Sequence, residues 1–521
     1  MPEKATSPFF QCFNIPFHSM ITEKEYENNH PFARRLAASI MANAGRNCFF
    51  IDGQYHTYAA LACRVAAIRH LVGGLEDRYV GLVAHDDLAT YASVLALWME
   101  GKAYVPLHPL QPQARLDDIV RQVGLQTVLD SGTGAHYESV DILHTQNAVG
   151  EGEVPDLMPV SEEGEVAYML FTSGSTGRPK GVPVTFDSVS AFVSAFFALG
   201  IDINSDDRCL QMFDLTFDLS VCSLLLPLLR GACVYTVKPG SIKWQEVSVL
   251  LEDHRLTLAL MVPSVIHYLR PYMGELEVTS LRHSLFCGEA LAADDIAAWQ
   301  QLLPGCKMWN VYGPTEHTIF CTAYPIPANG ACEANGIVSI GRAMPGTATR
   351  IVGEEQWEVA RGEKGELCLA GRQLTPGYWN DEKKNSEAFF EADGQRWYRT
   401  GDICSEQADG NILYYGRMDS QVKIQGFRVE LSEIEHVASR YFSLPTEAVA
   451  VAVADQSDNL CIHLTVENDG GEDNEELKKY LRQYLPAYMM PAGIHHIQPF
   501  PQNDNNKIDR KKIKEMIINS L

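Results

Sequence analysis

Ten residues, Thr172-Ser-Gly-Ser-Thr-Gly-Arg-Pro-Lys-Gly181, set hydroxyls, glycines and a lysine directly after the apolar run Val166–Phe171. Backbone N–H groups and hydroxyls in such a loop can wrap a phosphate, with glycine allowing close approach and lysine supplying charge. The order Pro-Lys-Gly departs from the Gly-Lys-Ser/Thr of a Walker A loop, and the residues that follow, Val182–Phe186, read as a strand instead of a helix. A strand–loop–strand phosphate clamp is therefore expected. The other group with chemistry in it is the basic run Lys507-Ile-Asp-Arg-Lys-Lys-Ile-Lys514. It reads as a solvated helix face, or as a reactive lysine followed by a patch for an acidic partner.

The elements that must position these groups form an α/β pattern. Ala59–Leu71 and Tyr91–Met99 have helical spacing, while Tyr79–Ala84 and Ala103–Leu107 read as strands. Past residue 360 short strands with glycine-bounded turns take over, at Gly365–Gly371 and Gly410–Gly416. After the polar stretch Arg417–Gln421 come a strand at Val422–Ile424, a helix at Ser432–Arg440, a strand at Ala448–Val453 and a helix from Asn474 to Tyr484. That pattern predicts a large α/β domain over residues 1–418 and a compact α+β domain over 419–521.

Composition narrows the function. The 521 residues are 46% hydrophobic and 21% charged, ordinary values for a globular chain. A formal net charge of −24 opposes nonspecific binding to nucleic acid or to anionic membrane. No apolar run reaches spanning length, so no membrane insertion is expected. The N-terminus lacks the layout of a signal peptide. Thirteen cysteines with no Cys-x-x-Cys pair point to reduced thiols. The expectation is a cytoplasmic protein.

A series of spaced segments then carries a resemblance. After the hydroxyl–glycine loop come Phe217-Asp-Leu-Ser220, Cys287-Gly-Glu-Ala290 and Asn310-Val-Tyr-Gly-Pro-Thr-Glu316. Gly365-Glu-Leu, Pro376-Gly-Tyr378, Tyr398-Arg-Thr-Gly-Asp402, Gly416-Arg-Met-Asp419, Leu485–Pro491 and Asn506-Lys-Ile-Asp-Arg510 complete it. Together they resemble the adenylate-forming superfamily of acyl-CoA synthetases, luciferases and nonribosomal peptide adenylation domains, over roughly Tyr58 to Arg510. The narrower likeness, on Phe217–Val221 and Leu285–Glu289, is to stand-alone amino-acid adenylation enzymes of the D-alanine–carrier-protein ligase type.

The resemblance implies a large multi-layered adenylation domain with a mobile C-terminal lid. It implies activation of a carboxylate by ATP with release of pyrophosphate, then transfer to a thiol. It assigns ATP binding to Thr172, Ser173, Gly174, Ser175, Thr176, Gly177 and Lys180, and to Gly288, Glu289, Ala290, Asn310, Val311, Tyr312 and Gly313. Tyr312 would stack on adenine, Asn310 read its amino edge, and Asp402 and Arg417 hold the ribose. Thr315 would donate to the α-phosphate and Glu316 would bind Mg2+. Lys507 would be the catalytic lysine, with Asn506 where the family normally has Gly. Asp419 matches the hinge, and Lys423 and Gly426 would face the site during transfer, with Gln425 where Arg is common.

For the substrate, the resemblance makes Asp218 the partner of an ammonium group. A buried carboxylate needs such a partner; a helix N-cap is the bland alternative. The remaining pocket positions are Leu219, Cys222, Leu285, Cys287, Val311, Ile319 and Phe320, nearly all apolar. A small amino acid is expected, D-alanine first, then glycine, L-alanine or serine. Cys222 stands where D-alanine ligases typically have Met, and Val311 where they have a smaller polar residue. Few residues follow Arg510, so the expected acceptor is a separate phosphopantetheinylated carrier protein, or less readily CoA. An acyl- or aryl-CoA synthetase and a degenerate nucleotide-binding regulator are the competing readings.

Overall fold

The structure is a computed structural model that describes residues 32–150, 152–159, 165–174, 178–353, 358–418, 421–442, 446–455, 459–468, 473–502 and 508–521. Ser175, Thr176, Gly177, Asp419 and Lys507 lie outside the described residues.

Two large sheets carry the first part of the chain. A nine-stranded sheet has parallel central strands, among them Arg208–Gln211, Leu258–Met261, His283–Phe286 and Lys307–Tyr312. A six-stranded sheet has Tyr79–Val83, Ala103–Leu107 and Val166–Thr172 in parallel, closed by the antiparallel Lys180–Thr185. The central strands are apolar runs, as strands covered on both faces must be. Two helices, Leu88–Met99 and Asp218–Leu228, are buried along nearly their whole length. Residues from both sheets and both helices share one core cluster, so the helices form the apolar layer between the sheets. A five-stranded antiparallel sheet built from Thr347–Val352, Gly365–Gly371, Phe389–Ala392, Gln395–Glu406 and Ile412–Arg417 follows.

After residue 420 the described strands pair only among themselves. Gln421–Ile424 and Phe427–Glu430 form a hairpin, and Ala448–Ala454, Leu460–Val466 and Gly493–His496 a three-stranded sheet. Helices Leu431–Ser439, Asn474–Leu481 and Arg510–Ser520 cover that sheet. Its core clusters contain no residue before Val422. The fold is α/β with a smaller C-terminal unit, as the sequence predicts. Two element ends differ: Phe186 opens a helix instead of ending a strand, and the helix from Asn474 stops at Leu481.

Candidate active site

The phosphate-type loop is a strand–loop–strand, with Thr172 and Lys180 facing each other in register. Gly174 must be glycine, because a Cβ there would sit 2.0 Å from the Arg178 carbonyl oxygen. Beside this loop the parallel strands His283–Phe286 and Lys307–Tyr312 end, and their carboxyl ends hand over to Cys287–Ala290 and Gly313–Glu316. Carboxyl ends of parallel strands are where α/β sheets place ligands.

A cavity of about 90 Å3 opens there, lined among others by Thr172, Ser173, Asp218, Leu219, Cys287 and Gly288. Tyr312, Thr315, Ile319, Asp402, Arg417, Lys423 and Gly426 also face it. A smaller adjoining cavity adds Glu289, Ala290, Asn310 and Val311. Most of the residues anticipated from the sequence thus converge. Cys222, Leu285 and Phe320 do not reach either cavity. They are buried in the core behind its wall, and Phe320 packs edge-on against Phe192 with ring centroids 4.9 Å apart.

Asp218 is the first residue of its helix, and Phe217 occupies the cap position, so the N-cap alternative fails. Burial pushes its carboxyl up to about 6, against hydrogen bonds from Thr315 and the Ile319 backbone. Its Oδ2 is buried with no hydrogen-bond partner among the described residues. Such an atom is costly unless a donor arrives. Thr172 Oγ1 is in the same state on the phosphate side.

The turn that brings Ile319 to Asp218 is strained: Thr318 and the β-branched Ile319 hold φ of 49° and 71°. Gln373, almost fully buried, straps it by donating from Nε2 to the carbonyls of His317, Thr318 and Phe320. No residue pattern announces this strap, since its targets are backbone carbonyls.

On the nucleotide side, Tyr312 Oη donates to Asp402 Oδ2, and Arg417 Nη1 donates to Asp402 Oδ1 at 3.0 Å. Asn310 spends its Nδ2 on the carbonyls of Val338 and Ser339, which leaves Oδ1 to accept from an amino group. Glu289 takes N–H groups from Ser264 and from Gly426 of the C-terminal unit. Lys423 Nζ stands 5.9 Å from the centroid of the Tyr312 ring.

Glu316 is fully buried and accepts from Tyr378 Oη at 2.7 Å and from Arg428 Nη1 at 2.8 and 3.0 Å. Burial opposes its ionisation, but Arg428 and Lys180 overcome that and hold the carboxyl down at about 2. Arg428 is the residue that sequence reasoning missed. It sits in Gly426-Phe-Arg-Val-Glu430, beside motif positions already singled out. An ionised carboxylate next to a phosphate-type loop fits Mg2+, a hard cation that takes oxygen ligands and accepts phosphate oxygens among them. Among the described residues no cluster of three or more His, Cys, Asp or Glu could hold a metal. No described helix is long and apolar enough to cross a membrane.

Comparison with known proteins agrees with this geometry. The family model for AMP-binding enzymes matches residues 36–379. Zwittermicin A synthase ZmaJ of Bacillus cereus is 32% identical over 84% of this chain and 85% of its own length. Tyrocidine synthase 1 of Brevibacillus parabrevis is 31% identical over 84% of this chain, which spans 40% of that protein. Among solved structures, the Vibrio cholerae adenylation domain AlmE in complex with glycyl-adenosine-5'-phosphate superposes with a TM-score of 0.82 at 26% identity. That match covers 97% of this chain and all of AlmE.

Proposed function

Because the chain belongs to the AMP-binding, adenylate-forming enzyme family, we propose that it activates a small amino acid with ATP and passes the aminoacyl group to the phosphopantetheine thiol of a separate carrier protein. The observation that carries this reading is the unpartnered Oδ2 of Asp218 inside the cavity. An ammonium group supplies the missing donor and the missing charge. The small cavity and its apolar walls favour a short side chain. D-alanine and glycine head the candidates, glycine because AlmE is solved with a glycyl adenylate.

In the first step a substrate carboxylate oxygen bonds to the α-phosphorus as the bond to the β-phosphate oxygen breaks, and pyrophosphate leaves. Lys180 and the loop hydroxyls hold the β- and γ-phosphates, and Thr315 donates toward the α-phosphate. Asp402 and Arg417 fix the ribose while Tyr312 carries the adenine. Lys507, on the C-terminal unit, bridges the carboxylate and the nucleotide. Mg2+ at Glu316 would offset the repulsion between the two anions. In the second step the thiol sulfur bonds to the acyl carbon, the bond to AMP breaks, and AMP departs.

A groove of about 460 Å3, lined by Trp244, Val262 and Tyr268, shares Phe217, Leu219 and Gly426 with the site. Its length of apolar wall suits a pantetheine arm. ATP–pyrophosphate exchange, run with every proteinogenic amino acid in both chiralities, tests the reading. Exchange is expected with the small amino acids. Exchange only with fatty or aryl acids would make the protein an acyl- or aryl-CoA synthetase, and none with any acid a nucleotide-binding regulator.

A further inference from the structure

Away from the adenylation cavity, two imidazoles of the C-terminal unit meet nitrogen to nitrogen. His463 Nδ1 and His495 Nε2 lie 2.9 Å apart. Strand register brings them there. Leu460–Val466 runs parallel to the edge strand Gly493–His496, with His463 level with Gly493 and Thr465 level with His495. Alternation along a strand then puts His463, Thr465 and His495 on one face of the sheet. His496 falls on the other, where its ring nitrogens meet the Oδ1 atoms of Asn468 and Asn474.

Gly493 keeps the space between the two rings open. A Cβ there would stand 2.9 Å from His463 Nδ1 and 3.1 Å from His495 Nε2. The Thr465 hydroxyl, on the same face, is buried with no hydrogen-bond partner among the described residues. His463 is buried and His495 half-buried, so small solutes reach the pair from the His495 side. Burial pushes both rings below the ordinary imidazole value, and the neighbouring His463 and His496 push His495 the same way. Both rings are therefore neutral near pH 7, the form that ligates metals.

Two neutral imidazoles at this distance share an N–H···N bond, or hold a metal ion between them. We propose that His463 and His495 form a two-imidazole site for a divalent transition metal of the nickel or copper class, with water in its remaining positions. Geometry selects the class. Nitrogens 2.9 Å apart, each about 2.1 Å from one ion, subtend about 90° at it, the angle of square-planar and octahedral centres. A tetrahedral zinc would hold them about 3.4 Å apart. The ring that donates in the free pair moves its proton to its other nitrogen, so both facing nitrogens present lone pairs. Among the described residues no group of three or more His, Cys, Asp or Glu could hold a metal, which leaves the other positions to water. The Thr465 hydroxyl offers the hydrogen-bonding partner such a water needs. An ion here ties the edge strand of the sheet to its neighbour. The pair lines no part of the adenylation cavity and does not rest on that reading.

The test uses the full chain and Ni2+ alone at about pH 7.5, where both rings are neutral, read by calorimetry and by NMR of isotope-labelled histidine. The ring resonances of His463 and His495 are expected to broaden before those of any other histidine. His463→Gln and His495→Gln should each weaken binding about tenfold or more, and so should Gly493→Ala, which keeps both rings and fills the gap between them. Nickel binding that leaves the His463 and His495 resonances unchanged overturns the site. So does equal affinity in the parent and both Gln variants, or no binding by the parent. The NMR arm needs no substitution, so it decides even where a variant folds poorly.

Discussion

At the scale of single residues, Asp218 has the sharpest consequence. Burial raises its carboxyl from the ordinary 3.8 to about 6. Below about pH 6 the neutral form is thus favoured in the free protein, and the stability this gives is complete below 3.8 and lost as pH rises through about 6. An ammonium needs the ionised form. Amino-acid affinity should therefore climb as pH rises through about 6 and then level. Asp218→Asn should flatten that rise and raise KM by about a hundredfold or more, the cost of a buried charge left without its partner. Steady-state exchange measured from pH 5 to 8 checks both. Asp218 was legible in the sequence because its motif travels with it. Arg428 and Gln373 were not. Arg428 meets a carboxylate 112 positions away, and Gln373 serves a left-handed turn at Ile319 that no residue type announces.

At the scale of elements, the hairpin Gln421–Glu430 reaches into the site by its turn. Gln425 and Gly426 take φ of 50° and 84°, and a Cβ at 426 would lie 2.7 Å from Val262 Cγ1. Gly426→Ala should therefore cost the docked hairpin about 1–3 kcal/mol through strain and crowding. Thiol transfer should fall more steeply than ATP–pyrophosphate exchange if, as proposed, only transfer uses the docked hairpin. Rapid-quench transfer from a preformed aminoacyl adenylate separates the two rates; an equal loss in both would contradict the assignment. The elements themselves were readable, since apolar runs and glycine-bounded turns set their own periods. The seating of the hairpin was not, because it depends on pairs such as Arg115–Glu433 that join residues far apart in the chain.

At the scale of the whole molecule, the proposed function has one cavity served in turn by two arrangements of the C-terminal unit. The described arrangement places Lys423, Gly426 and Arg428 at the site. In the proposed function the other brings Lys507 to it, as the cation that joins the carboxylate to the nucleotide. The large domain's two sheets are locked by a shared core, whereas the C-terminal unit keeps its own clusters. Each part can therefore move without unpacking the other. The most direct measurement is amino-acid-dependent ATP–pyrophosphate exchange by Lys507→Ala, beside transfer from a supplied aminoacyl adenylate. Exchange is expected to be lower by about a hundredfold or more, as for loss of a group that stabilises charge in the transition state, with transfer largely kept. Exchange at the parent rate would contradict it.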